Sequence, residues 1–313
     1  MIHIEEKYMS RCLQLAACGR GFTAPNPMVG AVIVHQGKII GEGFHRKYGA
    51  PHAEVNAIAS VKEEQLLKAS TLYVNLEPCS HYGKTPPCSD LIIRKQIPEV
   101  VVGQIDPFAE VSGRGIEKLK KAGVEVVCGV LEKECRALNK TYLTFIRERR
   151  PYIILKWAQS ADGFMDQCRE EGDGRKPVRF SGAFTQMLVH KLRAEAAAVM
   201  IGKRTELLDK PALNVRFWAG NDPERIMADS SKTLQTQLQE LYAKKIQSLI
   251  VEGGAKLLNA FLSEDLWDET RIEIAPVVLG EGIQAPVLSN GLLQNIQKCE
   301  NSTIFLYKKT PKR

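Results

Sequence analysis

Residues 52–54 are His-Ala-Glu, and residues 77–88 are Glu-Pro-Cys-Ser-His-Tyr-Gly-Lys-Thr-Pro-Pro-Cys. His52 opens one predicted helix, Cys79 follows a predicted strand, and Cys88 starts another helix. One imidazole and two thiolates are the three protein ligands of a catalytic zinc site, which keeps its fourth position for water. A helix N-terminus favours the thiolate that metal binding needs. The sequence therefore predicts that His52, Cys79 and Cys88 bind zinc.

Glu54 lies two residues after His52 in the same helical turn, too close along the chain to bind the same ion easily. Its carboxylate can instead reach the water held by the metal. A metal that acidifies water, beside a glutamate that is not a ligand, is the arrangement of the zinc nucleobase deaminases. Two alternatives are three unrelated core residues and a structural zinc module. The latter needs a fourth protein ligand and leaves Glu54 without a role.

Helical and strand patterns alternate in the first half, which predicts an α/β domain with a mixed sheet covered on both faces, and the second half is predicted to be α/β as well. A charged stretch ending in proline, residues 147–151, marks a boundary between domains at 1–148 and 151–313. A turn at 36–38 predicts a hairpin, and residues 163–179 are predicted as a loop. The predicted helices are 5–18, 53–61, 87–94, 113–122, 131–146, 184–197, 234–244 and 255–262. The predicted strands are 29–34, one from 39, 71–76, 100–103, 124–127, 152–155, 198–201, 248–252, 271–278 and 302–307.

The composition fits a globular chain of two domains, with 313 residues of which 44% are hydrophobic and 25% charged. No apolar run could span a bilayer, and residues 1–6 do not resemble a signal peptide, so we expect a cytoplasmic protein. The net charge of +7 is spread over both halves, with 21 Lys/Arg against 16 Asp/Glu in residues 1–150 and 22 against 20 in the remainder. Nucleic-acid proteins usually gather such charge into a face or an arm, and this mild excess suits a small anionic substrate just as well. Eight cysteines in a chain of this length do not indicate a disulfide scaffold.

The spacing of the two cysteines is longer than the Pro-Cys-x-x-Cys of most cytidine and tRNA-adenosine deaminases. Together with Pro-Asn-Pro-Met-Val-Gly-Ala-Val-Ile-Val at 25–34, Gly43-x-His45, and Asp106-Pro107 followed by 113–129, it resembles the bifunctional RibD family of bacterial riboflavin biosynthesis. The resemblance implies a cytidine-deaminase-like α/β/α zinc domain followed by a dihydrofolate-reductase-like α/β domain. It also implies two reactions. The first is zinc-dependent deamination of 2,5-diamino-6-(5-phosphoribosylamino)pyrimidin-4(3H)-one. The second is NADPH-dependent reduction of the ribosyl chain, which gives 5-amino-6-(5-phosphoribitylamino)uracil.

For the deaminase, the resemblance implies that Glu54 is catalytic and that four residues contact the substrate. Asn26 matches the pyrimidine-contacting asparagine, and His45, His81 and Lys84 match positions around the ring and the phosphoribosyl arm. A lysine beside a zinc site suits an anionic substrate, although a solvated loop is the alternative for His81 and Lys84. The family usually has asparagine soon after Asp106-Pro107, where this chain has Phe108-Ala109.

For the reductase, the resemblance rests on Lys-Trp-Ala-Gln-Ser-Ala-Asp-Gly at 156–163, His-Lys-Leu-Arg-Ala at 190–194 and Val-Glu-Gly-Gly-Ala-Lys-Leu at 251–257. Gly-Gly before a helix offers free N–H groups to a pyrophosphate, and no Gly-x-Gly-x-x-Gly is present, which argues against a Rossmann domain. Arginines at 193 and 216 suit a phosphate, with surface ion pairing as the alternative. The resemblance implies substrate binding by Lys156, Arg193, Leu213, Arg216 and Glu252. It implies cofactor binding by Ala158, Thr205, Asp209, Gly254, Ala255, Lys256 and Leu257.

The second half also departs from the family. The usual Trp-Ile-Thr is Arg179-Phe180-Ser181 here, and the domain is shortened after about residue 229. One alternative is therefore a deaminase with an inactive or altered reductase domain, and another is a polynucleotide-editing deaminase. The expected partners are a small phosphoribosylated pyrimidine and further copies of the chain, as a dimer or tetramer, with no nucleic acid and no membrane.

Overall fold

Two large β-sheets organise the chain, each within its own unit. The computed structural model describes residues 4–82, 86–108 and 112–310. The chain divides into two compact units, Met1–Glu148 and Arg149–Arg313. Both units alternate helices with strands, and the predicted α/β class is confirmed.

In the described residues of the first unit, five strands form a mixed sheet in the order β2-β1-β3-β4-β5. β1 is antiparallel to β2 and β3, whereas β3, β4 and β5 are parallel. The strands are β1 (Gly30–His35), β2 (Lys38–Phe44), β3 (Thr71–Val74), β4 (Glu99–Val102) and β5 (Glu125–Cys128). The helices are α1 (Glu6–Ala17), α2 (Ala53–Ala59), α3 (Cys88–Arg94), α4 (Arg114–Lys121), α5 (Glu132–Leu138) and α6 (Lys140–Glu148), with a 3-10 helix at Glu64–Ala69.

Both faces of this sheet are covered, as predicted. One buried cluster joins the sheet to α2, α3 and α4, and another joins it to α1 and α5. The predicted hairpin is also present, because Gln36 and Gly37 take positive φ angles of 48° and 74°. Two such residues make the tight turn whose twist matches that of paired strands.

The single long helix predicted for 131–146 is wrong. It is divided at Asn139, whose φ and ψ are −99° and 21°. The Asn139 amide donates to the backbone carbonyl of Met28 (2.9 Å) and accepts from its N–H (2.8 Å). These two hydrogen bonds, between residues 111 positions apart in the sequence, occur where the chain breaks between α5 and α6.

In the described residues of the second unit, seven strands form a sheet in the order β13-β14-β11-β6-β10-β8-β9. β6, β8, β9, β10 and β11 run parallel, and β13 and β14 are antiparallel. The strands are β6 (Tyr152–Gln159), β7 (Phe164–Asp166), β8 (Ala198–Ile201), β9 (Glu224–Met227), β10 (Ser248–Val251), β11 (Glu269–Ile274), β12 (Ile283–Gln284), β13 (Gly291–Cys299) and β14 (Ser302–Lys309). The helices are α7 (Ala183–Glu195), α8 (Lys203–Asp209), α9 (Leu234–Ala243) and α10 (Ala255–Ser263).

The two faces of this second sheet differ. One packs against α9 and α10 in a large apolar core that contains Leu155, Trp157 and Ile272. The other carries a smaller apolar cluster near α7 and several charged side chains. Part of the predicted loop 163–179 is a strand, because β7 pairs with β12. Within the described residues, none of the helices has the length and apolar character required to cross a membrane.

Candidate active sites

Three predicted metal ligands meet at one end of the first sheet. His52 is the N-cap of α2, Cys88 is the first residue of α3, and Cys79 lies in the loop after β3. Their ligand atoms all lie within 4.8 Å of one another. His52 Nδ1 is 3.5 Å from Cys79 Sγ and 3.4 Å from Cys88 Sγ.

These distances fit a tetrahedral zinc site. Bond lengths of about 2.3 Å to sulfur and about 2.1 Å to nitrogen place the two ligand atoms about 3.6 Å apart at a tetrahedral angle. The Cys88 side chain, His52 and the Cys88 backbone N–H all donate hydrogen bonds that hold the pKa of Cys79 well below its ordinary value. A sulfur already disposed to be a thiolate suits a divalent cation.

Glu54 lies in the first turn of α2 and is 3% exposed. Burial raises its pKa, and the neighbouring Cys79 adds to this effect. A raised pKa makes it easier for this carboxyl group to take up a proton. In the part of the chain that the structure describes, the only candidate metal-binding group contains His52, Cys79 and Cys88 and does not include Glu54. Glu54 lies beside these three residues, since it interacts electrostatically with Cys79 and His52 and shares a hydrogen bond with Cys88.

Asn26 and His45 lie together next to the metal ligands. The Asn26 side-chain nitrogen is 3.1 Å from His45 Nε2, and the His45 and His52 rings meet edge to face at 5.5 Å. His45 Nδ1 is 3.1 Å from the carbonyl oxygen of Pro51. A carbonyl only accepts, so Nδ1 carries the proton and Nε2 accepts from the Asn26 amide. Within the described residues the Asn26 side-chain oxygen has no hydrogen-bond donor, so it can accept from a ligand.

The segment that carries Asn26 is held at Met28. The Asn75 side chain donates to the Met28 carbonyl at 3.1 Å and accepts from the N–H of Gly30 at 2.8 Å. The side chain of Asn139, which lies between α5 and α6, also forms two hydrogen bonds with the Met28 backbone. Both asparagines are fully buried, at 0% and 1% exposure. They fix the backbone on which Asn26 stands.

Glu77 anchors the other side of the site. One carboxylate oxygen accepts from the N–H groups of Asp106 (3.2 Å) and Gly113 (3.0 Å). The other accepts from Gly115 (3.0 Å) and Ile116 (3.3 Å). These four bonds tie the loop after β4 and the start of α4 to the segment that leads into Cys79.

His81 and Phe108 mark the outer part of this site. Their rings meet edge to face at 6.2 Å, and His81 is exposed. Phe108 therefore lies beside His81 in this part of the unit. Lys84 lies outside the described residues.

The second unit contains a cleft of about 1780 Å³. Single-ligand pockets usually measure about 300–1,000 Å³, so this cleft has room for a dinucleotide and a second molecule. It contains four of the five predicted substrate residues, Lys156, Arg193, Arg216 and Glu252. It also contains all the predicted cofactor residues, Ala158, Thr205, Asp209, Gly254, Ala255, Lys256 and Leu257.

Glu252 stands at the centre of an ion cluster in the cleft. Arg193 donates from Nε and Nη2 to its two oxygens at 2.7 and 2.8 Å, and Lys156 Nζ is 3.6 Å away. Burial alone would raise the pKa of Glu252, but Lys156 and Arg193 outweigh it and lower the value to about 2. Glu252 is therefore a carboxylate at neutral pH, and it occupies the fork of Arg193 that a substrate phosphate would otherwise use.

Arg216 remains as an exposed arginine near this cluster. Its side chain bonds only its neighbour Asn214, at 2.6 Å, within the described residues. Its backbone N–H donates to His190 Nδ1 at 2.9 Å, so the neutral His190 ring carries its proton on Nε2. His190 also lines the cleft, and its pKa is lowered by burial and by the charges of Arg193 and Arg216.

The predicted pyrophosphate wall is the turn before α10. Gly254 is the N-cap of that helix, and a Cβ there would lie 3.5 Å from the Thr205 hydroxyl. This places Thr205, at the start of α8, beside the free N–H groups of α10.

Two predicted residues have unexpected surroundings. Asp209 is ion-paired with Arg169 at 2.6 Å, and this buried arginine also binds Asp166. Leu213 is 5% exposed, packs with Val199 and does not line the cleft.

Several site residues escaped the sequence prediction because their partners are distant in the chain. The sequence shows Glu77 only as part of Glu-Pro-Cys, and nothing in its pattern marks Asn139 or Arg169. An apolar stretch interrupted by a single asparagine, as at Asn75, was the available signal for a buried amide.

Comparisons with known proteins agree with this geometry. Residues 2–104 match the family described as the cytidine and deoxycytidylate deaminase zinc-binding region, and residues 151–237 and 232–306 match the RibD C-terminal domain. The chain is 40% identical to the riboflavin biosynthesis protein RibD of Aquifex aeolicus, over 90% of this chain and 89% of that protein. The chain belongs to the RibD family. The Escherichia coli RibD is 35% identical, over 88% of this chain and 89% of that one.

Solved RibD structures share the whole architecture. A Thermotoga maritima structure, titled a diaminohydroxyphosphoribosylaminopyrimidine deaminase/5-amino-6-(5-phosphoribosylamino)uracil reductase, superposes with a TM-score of 0.87 at 32% identity. The match covers 97% of this chain and 98% of the Thermotoga maritima chain. Acinetobacter baumannii RibD gives the same TM-score, identity and coverage. This RibD-family chain is accordingly a bifunctional enzyme of riboflavin biosynthesis, with a zinc-binding deaminase domain and a RibD reductase domain.

The RibD C-terminal match is divided where the sequence predicts a shortened segment. Its two pieces overlap at residues 232–237, which span the end of the short connection between β9 and α9 and the first turn of α9. Met227, Asp229 and Lys232 line the cleft there.

Proposed function

We propose that the first unit removes the C2 amine of 2,5-diamino-6-(5-phosphoribosylamino)pyrimidin-4(3H)-one and that the second unit then reduces the ribosyl chain with NADPH. The product is 5-amino-6-(5-phosphoribitylamino)uracil. The convergence of His52, Cys79 and Cys88 beside Glu54 carries this proposal, together with membership of the RibD family.

In the deaminase, His52, Cys79 and Cys88 would hold zinc. Zinc bound by these residues would supply an acidified water as the nucleophile for C2. Glu54 accepts the proton of that water and returns it to the departing amine, so that ammonia leaves and a carbonyl remains. Burial suits Glu54 to this exchange because it raises the pKa of the carboxyl group.

Asn26 orients the pyrimidine for this attack. His45 binds the amide nitrogen of Asn26, which turns the amide oxygen toward a donor such as a ring N–H or an amine. His45 is therefore a positioning residue in this reaction. His81 extends the site toward the phosphoribosyl arm, and the family resemblance assigns a contact with the same arm to Lys84.

In the reductase, Thr205 and the start of α10 would hold NADPH, which when bound would supply the hydride for C1 of the ribosylamine. Opening the ribose breaks the bond between C1 and the ring oxygen, and that oxygen then needs a proton. Lys156 is the donor, since Glu252 beside it stays ionised. Arg216 binds the substrate phosphate, because its guanidinium is less committed than that of Arg193.

A coupled assay separates the two reactions. A zinc chelator should abolish ammonia release and leave NADPH oxidation with pre-deaminated substrate unchanged. Glu54→Gln should reproduce the first effect, and Lys156→Met should abolish NADPH oxidation while ammonia release continues. Ammonia release that survives both metal removal and Glu54→Gln would refute the deaminase proposal.

The shortened connection after β9 favours a second candidate, a deaminase whose reductase domain is inactive or altered. Steady NADPH oxidation by the purified chain, supplied with the deaminated intermediate, would eliminate that candidate. Turnover with NADH at an equal rate would instead indicate an altered cofactor preference.

The setting of the enzyme is part of the same proposal. We infer that it works in the cytoplasm as a homo-oligomer on free small molecules, without nucleic acid or membrane. The spread of positive charge over both halves of the chain supports this. Salt-sensitive binding to RNA would contradict it.

A further inference from the structure

A charged layer lies on one face of the second sheet, at and beneath the cleft. Lys156 on β6 and Arg271 and Glu273 on β11 belong to it, and Glu252 follows β10. Arg193 reaches it from α7. Lys156 and Glu252 line the cleft, whereas Arg271 and Glu273 do not.

Arg271 is the neighbour of Lys156 in the sheet. The two residues are register partners in the parallel pair of β6 and β11. The next residues, Trp157 and Ile272, both point into the apolar core on the opposite face. Lys156 and Arg271 therefore project from the same face of adjacent strands, whose backbones lie about 4.8 Å apart.

The charge of Arg271 is poorly neutralised. The residue is 6% exposed, and in the described part of the chain its Nη1 and Nη2 have no hydrogen-bond partner. Glu273 Oε2 is 3.8 Å from Nη1. The Glu273 oxygens instead accept from the hydroxyls of Ser181 (2.8 Å) and Ser302 (3.0 Å).

Four charged groups act on the Lys156 ammonium. Glu252 and Glu273 stabilise it, whereas Arg271 and Arg193 oppose it. The charge of Arg193 is neutralised by Glu252 through two short hydrogen bonds. Among the described residues, Arg271 has no carboxylate bound to it in this way. Burial is the largest cause that lowers the pKa of Lys156, and Arg271 adds to it.

We propose that Arg271 is a positioning residue of the reductase, which acts through Lys156 by placing a buried, weakly neutralised positive charge beside its ammonium group. The lysine then gives up its proton more readily to the ribose oxygen. This inference rests on the proposed role of Lys156 as the proton donor. Arg271 itself does not touch the cleft.

Three variants test the charge. Arg271→Met removes it and keeps an apolar side chain, Arg271→Lys keeps it, and Glu273→Gln removes the opposing carboxylate. The first readout is the pH dependence of acetylation of Lys156 by acetic anhydride in the ligand-free chain, measured by peptide mass spectrometry. The second is the alkaline limb of kcat/KM for NADPH oxidation with the deaminated substrate.

Arg271→Met should move the acetylation midpoint and the alkaline limb upward by about 1–2 pH units, the size expected for a unit charge about 5 Å away at an effective dielectric constant above about 20. Arg271→Lys should stay near wild type, and Glu273→Gln should move both downward. Thermal unfolding followed by tryptophan fluorescence checks that each variant is folded. If Arg271→Met does not fold, the opposite shift in Glu273→Gln still tests the charge effect.

An unchanged acetylation midpoint in both Arg271→Met and Glu273→Gln would overturn the inference. A midpoint that moves while the alkaline limb stays fixed would show that the charges couple but that Lys156 is not the proton donor. That result refutes the proposed role of Lys156 and, with it, the role of Arg271. The deaminase proposal would be unaffected.

Discussion

Glu77→Gln should loosen the deaminase unit and leave the reductase unit intact. Each oxygen of Glu77 accepts two backbone N–H groups, from Asp106 and Gly113 on one side and from Gly115 and Ile116 on the other. A glutamine keeps one acceptor and turns an NH₂ group toward the other two donors. Two hydrogen bonds to a charged group are lost, each worth about 1.5–3 kcal/mol, so we expect a loss of about 3–6 kcal/mol in the free energy of unfolding.

The position of the tryptophans allows the two units to be followed separately. Trp157, Trp218 and Trp267, the three in the chain, all lie after residue 150. Zinc release, detected with a chromogenic chelator during urea unfolding, reports on the first unit, and tryptophan fluorescence reports on the second. With a slope of about 2 kcal/mol per molar urea, the zinc-release midpoint should fall by about 1.5–3 M, while the fluorescence midpoint stays near wild type.

Glu125→Gln is the matched control, because Glu125 is an exposed carboxylate on β5. It should change the zinc-release midpoint by less than about 0.3 M, as expected for a surface substitution. A Glu77→Gln variant that releases zinc at the wild-type urea concentration would show that the four N–H groups do not depend on the carboxylate.

Three further outcomes follow from the two sites. His45→Ala removes the partner of the Asn26 amide and should raise KM for deamination about tenfold. This is the effect of one lost hydrogen bond worth about 1.4 kcal/mol. An unchanged KM in a variant that circular dichroism shows to be folded would contradict this. Glu252 has a pKa of about 2 when folded against an ordinary 4.5, so its stabilisation is present above about pH 4.5 and is lost as the pH falls toward 2. That loss is worth about 3 kcal/mol. Tryptophan fluorescence across pH 2–6 should show it in wild type but not in Glu252→Gln, and identical acid profiles would refute it. Asp268→Asn breaks a bidentate pair with Arg150, at 2.6 and 2.8 Å, and should destabilise the second unit by about 3–5 kcal/mol in urea; a loss below about 1 kcal/mol would count against it.

The convergence of His52, Cys79 and Cys88 was predictable from the sequence because their surroundings are local. His52 and Cys88 each start a helix, and Cys79 follows a strand, so a short motif already implies their backbone geometry. The hairpin at Gln36 and Gly37 was predictable for the same reason, since the residue types of the turn determine its shape.

The parts that the sequence did not reveal depend on contacts between distant residues. Asn139 looks like an ordinary helix residue until Met28, 111 positions away, supplies the partner that divides the helix. The alternation of charged and apolar residues from Arg271 to Ile274 is typical of a strand with one face in solvent. The structure instead buries both faces, with the charged face in contact with Ser181 and Ser302.

The bond between Asn139 and Met28 also sets the smallest fragment that can work as a deaminase. The zinc-binding match ends at residue 104, and a fragment cut shortly after α4 would still contain each metal ligand and the acid–base glutamate. Without the amide of Asn139, however, the backbone at Met28 would lose two of its anchors. Such a truncated chain would keep all three metal ligands, but the backbone segment that carries Asn26 beside the pyrimidine site would be held less firmly. A fragment made to work as a deaminase should therefore include α5 and α6.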